Sequence, residues 1–303
     1  MVGPLAAGTL VEVAHWRWVF LIVALFSSVA LIGLLRTVRH IPRPAEAHPT
    51  AAIGRRGWWA VVAAAALLVL HIGSGQPMPH AAIWPTIGVV ALIAVAVRLL
   101  PRGTLRGAAG APRLIGLRGI LGAAVAATDV YIPLYLQAEQ GVRPAVAGFL
   151  VAVGAIGWLI GAIAQGRLES RADPRTLLRY AFILALVGPI GATAVIAGSA
   201  PIWLIAVSSI ATGAGMGIAY PVVTSTTLQL SPPDQHGFYS SSLQAAESMA
   251  TSAFLAATGL MLTTLSTNSY TLTYALIVTL AVLAVLLGWR AVDLPRPSPR
   301  SGQ

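Results

Sequence analysis

Two long stretches of this 303-residue chain, 144–165 and 180–223, contain no Asp, Glu, Lys, Arg or His. Between them lies one short, charge-dense link, Gly166-Arg-Leu-Glu-Ser-Arg-Ala-Asp-Pro-Arg175. An apolar run of about 20 residues is long enough to cross a hydrocarbon layer of roughly 30 Å as a helix. Such runs are helical because lipid offers no partner for free backbone N–H and C=O groups. A link this short hides no domain, so the flanking helices form a hairpin with both ends on one membrane face. The rest of the chain agrees: 57% of residues are hydrophobic and 9% charged, against about 25% charged in a soluble domain. The sequence therefore predicts an all-α polytopic membrane protein.

The net charge of +10 does not read as a nucleic-acid surface, because the basic residues are split among separate links. All 19 are arginines. Arg36, Arg39, Arg43, Arg55 and Arg56 belong to one link. Arg98, Arg102, Arg106, Arg113 and Arg118 lie in or beside a second. Arg167, Arg171, Arg175 and Arg179 surround a third, and Arg290, Arg296 and Arg300 fall in the tail. Arg17 and Arg143 remain for the opposite side. By the positive-inside rule the arginine-rich links and the C-terminus are cytoplasmic, in a multi-pass protein of the plasma (inner) membrane. Cysteine is absent, which excludes disulfides and thiolate metal sites. The lack of lysine excludes a Walker P-loop. No enzymatic reaction, cofactor or metal is expected, and no nucleic-acid partner. The partner expected from composition is the lipid bilayer.

Taken in order, the apolar periodicity predicts helices over 16–36, 57–73, 81–100, 115–138, 144–166, 176–197, 200–223, 238–263 and 269–290. The link 37–56 holds Pro42, Pro44 and Pro49 and is irregular. Gly73-Ser-Gly-Gln-Pro77 reads as a tight outer turn. His71 and His80 read as interface residues, as do Trp58, Trp59, Trp84 and Trp203 at helix ends. Gly154, Gly157 and Gly161 read as a close helix–helix contact. Gly213, Gly215 and Gly217 do too, since no strand precedes them to make a dinucleotide fingerprint. Trp158, deeper in its helix, lines a pocket or packs in the core.

Two acids fall inside helices, Asp129 and Glu247. A carboxylate at membrane depth is costly against lipid, so it faces a cavity or a partner. Gly122 and Asp129 are seven apart and share a face. Pro133 removes the helical donor for the Asp129 carbonyl and lets the helix bend. Ser240, Gln244, Glu247 and Thr251 follow a 4-3-4 spacing that makes one polar stripe. These residues mark a candidate proton- or substrate-coupling site: Asp129 first, then Glu247 and Gln244. A structural hydrogen bond between helices is the other role open to each acid.

The link motif G-x-L-x-x-R-x-x-x-R, carried by Gly166, Leu168, Arg171 and Arg175, resembles the loop between the second and third helices of each half in the major facilitator superfamily. Ser170 and Asp173 depart from the usual residues there. Gly3-Pro4-Leu5-Ala6-Ala7-Gly8 resembles the end of that family's helix five. Asp129-Val-Tyr-Ile-Pro-Leu-Tyr-Leu-Gln137, with Arg118-Gly119 before it, resembles the first C-half helix of fourteen-helix drug:proton antiporters. Gly213–Pro221 and Gly237–Gln244 resemble the fourth and fifth. The resemblance implies a C-terminal six-helix half plus about three preceding helices. Residues 1–36 would be the end of helix five and helix six, and 37–114 a two-helix linker region. Residues 115–290 would be the C-terminal half and 291–303 a cytoplasmic tail. It implies proton-coupled efflux of hydrophobic or cationic compounds, with a small-molecule substrate and protons as partners, from a chain lacking most of the first half and needing it as a partner. Cavity-lining positions would be Tyr131, Tyr135, Gln137, Ser240 and Thr251. Arg171 and Arg175 would gate or set topology. The alternative is an inactive truncated protein, or a subunit acting only with another chain.

Overall fold

The computed structural model describes residues 9–11, 16–39, 55–74, 80–169, 171–264 and 269–290. The principal helices in order are α1 (Trp16–Val38), α2 (Arg55–Ser74), α3 (His80–Leu99), α4 (Ala111–Ala138), α5 (Pro144–Ala152), α6 (Gly154–Leu168), α7 (Pro174–Ile196), α8 (Trp203–Gln229), α9 (His236–Thr264) and α10 (Ser269–Arg290). Among the described residues there is no strand. Among the described residues, seven segments are long and apolar enough to cross a membrane: α1, α4, α5 with α6 as one span, and α7 to α10. The hairpin α2–α3 carries the shorter apolar stretches Gly57–Leu70 and Ile83–Leu99. The chain is a multi-pass, all-helical membrane protein. The expected motif at residues 3–8, most of the link 37–56, the turn 75–79, Ser170 and the tail 291–303 lie outside the described residues, as do the side chains of His71 and His80.

Local chemistry moves several helix ends from where apolar periodicity puts them. Helix α7 begins at Pro174 rather than 176. The Asp173 carboxylate accepts the Arg175 N–H at 3.0 Å, and Pro174 fills the first helical position, where a missing N–H costs nothing. Helix α8 runs to Gln229, past the expected end at 223, because Thr226 and Thr227 are buried and extend the packed face. Helix α4 begins at Ala111 rather than 115. Gly110, at φ 89°, turns the chain in, and Pro112 sits in the first turn. Arg118 therefore lies two turns inside a helix, not at the edge of a link. The span expected over 144–166 is continuous in path but broken at Val153, before Gly154.

Helix α4 is the axis of the six-helix bundle. It packs against α9 and α10, and against α5, α7 and α8 on its other side. The closest approach is between α6 and α8. A Cβ on Gly157 or Gly161 would run into the Ile210 and Ala214 carbonyls, and one on Gly213 would meet that of Gly154. With no hydrophobic drive between helices in lipid, such backbone contact is what small residues contribute. Helix α7 contains Pro189, which deprives the Ala185 carbonyl of its helical donor. The Thr212 hydroxyl of α8 donates to that carbonyl at 3.3 Å. Apolar side chains form two cores. One, around Leu114, Leu117, Phe182, Val222 and Leu243, also takes in α2 and α3. The other, around Tyr131, Leu136, Ile205, Tyr274 and Ile277, lies toward the opposite end of the bundle. No described side chain of α1 is buried.

Candidate functional site

Asp129 lies nine residues before the Ala138 end of α4. At about 1.5 Å per residue this is roughly 14 Å along the axis, near the middle of a 30 Å layer. Its side chain is exposed and lines a chamber of about 270 Å³ between α4, α5, α6 and α8. The other walls are Val125, Val151, Ala152, Gly154, Ala155, Trp158, Ser209, Thr212, Gly213 and Met216. The room comes from sequence: glycines, alanines and hydroxyl residues stand where larger side chains would fill it. Among the described residues no hydrogen bond or ion pair holds the Asp129 carboxylate.

Glu247 has the opposite environment. Its Oε2 accepts from Arg118 Nε at 2.9 Å, and its Oε1 accepts from the Tyr220 hydroxyl at 2.6 Å. Arg118 Nη1 donates to Thr224 Oγ1 at 3.0 Å, and the guanidinium stacks 4.2 Å from the centre of the Tyr220 ring. The two charged side chains are 13% and 20% exposed. Gly122 makes room for the acid, since a Cβ there would sit 2.8 Å from Glu247 Cγ. Gly122 is seven residues before Asp129, so Glu247 lies about 10 Å nearer the arginine-rich face. Of the two roles open to an intramembrane acid, Glu247 takes the bond between helices and Asp129 the cavity wall. Asp129 lines a chamber, whereas Glu247 is neutralised in a four-residue cluster joining α4, α8 and α9.

Periodicity missed Arg118, Tyr220 and Thr224. A signal existed: a basic residue at membrane depth needs an acid, and among the described residues the helices α1 to α10 hold two, Asp129 and Glu247. Trp158 connects the two places, lining the Asp129 chamber while its ring packs edge-on to Tyr220 at 5.2 Å.

The other expected residues are dispersed. Ser240 and Gln244 are exposed and Thr251 half-buried, and none of them lines the Asp129 chamber. Tyr131 is buried, with its hydroxyl bonded to the Leu255 carbonyl at 3.0 Å and to Thr258 at 2.8 Å. Tyr135 is buried too, edge-on to Tyr270 and accepting from Gln140. Both tyrosines belong to the packed core and not to the chamber wall. Gln137 is exposed and donates to the Pro133 carbonyl. In the loop motif, Gly166 and Leu168 close α6, Arg171 is exposed after the last turn, and Arg175 opens α7. Among the described residues no group of three His, Cys, Asp or Glu could hold a metal ion.

The model of the Major Facilitator Superfamily matches two overlapping stretches, residues 1–253 and 120–303. A probable multidrug-efflux transporter of Mycobacterium tuberculosis is 26% identical over 240 residues, covering 74% of this chain and 50% of that protein. The methylenomycin A resistance protein of Streptomyces coelicolor is 26% identical over 314 residues, covering 99% of this chain and 64% of the relative. A tetracycline resistance determinant of Streptomyces rimosus is 26% identical over 117 residues, 39% of this chain and 34% of its own length. The chain thus spans about half to two thirds of the length of the first two. Together the matched stretches cover every residue: this chain belongs to the Major Facilitator Superfamily.

Proposed function

We propose that this chain is part of a proton-driven exporter of hydrophobic or cationic drug-like compounds, with Asp129 as the coupling carboxylate. The observation that carries the reading is the contrast between the two intramembrane acids. Asp129 faces an open chamber with no counter-charge, whereas Glu247 is held by Arg118 and Tyr220. A carboxylate loses its charge on protonation. One such group serves a proton or a cationic substrate in turn, and competition between the two couples their flows. Trp158 gives the same chamber an aromatic wall for an apolar or cationic molecule. The names of the relatives, as efflux and resistance proteins, favour the outward direction. Alternating access rocks two six-helix halves about a midplane site. Here α4 to α10 form one half, with α2–α3 as the extra pair of a fourteen-helix arrangement. The facing half stands in a longer chain or a partner. In this reading the arginine-rich ends lie in the cytoplasm and the protein in the plasma membrane.

The test is Asp129→Asn, made in the gene as it stands in its genome so that flanking segments are unchanged. The variant is expected in the membrane at near-normal level, with efflux of a lipophilic cation no longer driven by an imposed pH gradient. Glu247→Gln in the same assay should weaken transport while leaving its dependence on the gradient. Gradient-driven efflux undiminished in Asp129→Asn would remove Asp129 from the coupling role.

A further inference from the structure

A second cavity lies on the other side of α4, away from Asp129. It is a slot of about 240 Å³ between α3, α4 and α9, walled by Leu92, Ile93, Ala96, Gly119, Ala250 and Ala253 among others, with no charged side chain. Ile93 and Leu105 on its rim are exposed, so it opens sideways toward the bilayer. From Leu92 to Leu100 the slot follows α3 for about 12 Å, close to the roughly 15 Å of one leaflet. At the Leu100 end the lining continues into the turn Pro101–Gly107, and there its chemistry changes. The adjoining cavities share Leu100, Pro101 and Arg102, and are lined by Arg98, Arg102 and Arg106 together with Gln235 and Tyr239. Arg98 is held over the Trp59 ring at 5.7 Å. Arg102 and Arg106 are exposed and, among the described residues, form no ion pair with an acid. Asp234, next to Gln235 in sequence, is not part of the lining.

We infer that this continuous site binds one anionic phospholipid, its phosphate at Arg98, Arg102 and Arg106 and one acyl chain in the slot between α3, α4 and α9. The argument is complementarity of two kinds in one place. A charge-free slot of leaflet length excludes a polar ligand. A mouth with three arginines and no acid selects a negative headgroup, as basic pockets between membrane helices do. The lipid then fills the seam that joins the α2–α3 hairpin to the six-helix bundle. Without it the small residues on both walls would leave a void there.

The full chain is purified in detergent. Native mass spectrometry then titrates it with phosphatidylglycerol and with phosphatidylcholine of identical acyl chains. Phosphatidylglycerol is expected to bind more tightly. A basic residue near an anionic headgroup is worth about a fivefold change in affinity, so Arg102→Gln with Arg106→Gln should weaken phosphatidylglycerol about thirtyfold. Phosphatidylcholine should be unmoved, and the paired lysine substitutions should keep the preference. Ala253→Phe, which fills the slot, should lose binding of both lipids. Should that variant not fold, Ile93→Trp at the exposed rim is read in its place. Equal retention of the two lipids by the parent chain would overturn the inference. So would an undiminished preference in the double glutamine variant, or phosphatidylglycerol affinity unchanged by blocking the slot.

Discussion

The Arg118–Glu247 pair makes a quantitative claim about what holds α4, α8 and α9 together. Replacing Arg118 with Met leaves the Glu247 carboxylate with the Tyr220 hydroxyl as its remaining donor. Breaking a buried ion pair from one side costs about 3–5 kcal/mol, because the surviving charge is uncompensated. The side chains keep 13% and 20% exposure, which places the cost at the lower end, about 3 kcal/mol. Glu247→Gln is milder, about 2 kcal/mol. It keeps a hydrogen-bonding oxygen for Tyr220 and leaves Arg118 on Thr224 and the tyrosine ring. In the double variant no charge is stranded, so its cost should match the milder single change. The coupling between the sites is then about 3 kcal/mol, roughly a hundredfold in the unfolding equilibrium. Reversible unfolding in mixed micelles with rising dodecyl sulfate, followed by tryptophan fluorescence, measures all four corners of the cycle. Effects that add within about 0.5 kcal/mol would show that the two groups are neighbours without mutual dependence, and the assignment of Glu247 to a neutralised cluster would fail.

Gly157→Ala drives a Cβ into the Ile210 carbonyl, so folded yield by fluorescence-detected size exclusion should collapse, whereas Gly166→Ala, with open space around it, should change nothing. Thr212→Val strands the Ala185 carbonyl that Pro189 has already deprived of its helical donor; a loss of about 1 kcal/mol is expected in the same unfolding assay, the usual worth of a hydrogen bond between membrane helices. Because the chain has no cysteine, single cysteines report sidedness without background: at exposed Ser199 one should react with an impermeant reagent added outside, and at exposed Ala109 one should react only after the membrane is opened.

Much of the fold was legible because lipid reduces the options for a backbone to helices. Uncharged runs and arginine-rich links therefore located each transmembrane helix within a few residues. The errors at helix ends have specific causes. Apolar periodicity stops at Val223, but α8 continues because Thr224 binds Arg118 and Thr227 is buried. It starts α7 late because the cap signal, Asp173-Pro174, is polar. The glycines announced close packing correctly: a Cβ on Gly157 would meet the Ile210 carbonyl, and one on Gly213 that of Gly154. The site was legible by halves. Asp129 followed from the cost of an intramembrane carboxylate together with Pro133. The partner of Glu247 did not, because Arg118 lies in sequence at the edge of an arginine-rich link. Sequence spacing cannot separate an arginine in a link from one two turns up a helix. The tyrosines were misplaced for a related reason. Tyr131 and Tyr135 flank Pro133 and look cavity-facing, yet their hydroxyls find partners in α9 and at the helix end, which lets the rings be buried.

The two carboxylates show why residue type alone does not assign a role inside a membrane. Both are acids on bundle helices. One accepts two hydrogen bonds, one from Arg118, its ion-pair partner, and one from the Tyr220 hydroxyl. The other meets neither and lines the chamber. The groups are about two helical turns apart along α4, too far for direct contact, but the wall between them is made of two touching rings. Trp158 belongs to the chamber, and Tyr220 is both hydrogen-bonded to Glu247 and stacked on Arg118. A ligand large enough to displace the Trp158 ring must therefore move Tyr220 or lose the edge-on contact. Moving Tyr220 loosens the cluster that ties α8 to α4 and α9. Tyr220→Phe keeps both ring contacts and removes only the bond to Glu247. It should raise the Arg118–Glu247 coupling, because Arg118 is then the donor left to the carboxylate, without changing the chamber, whereas Trp158→Ala should change the chamber and leave the coupling. Equal effects of the two substitutions on both quantities would mean that the rings are packing alone.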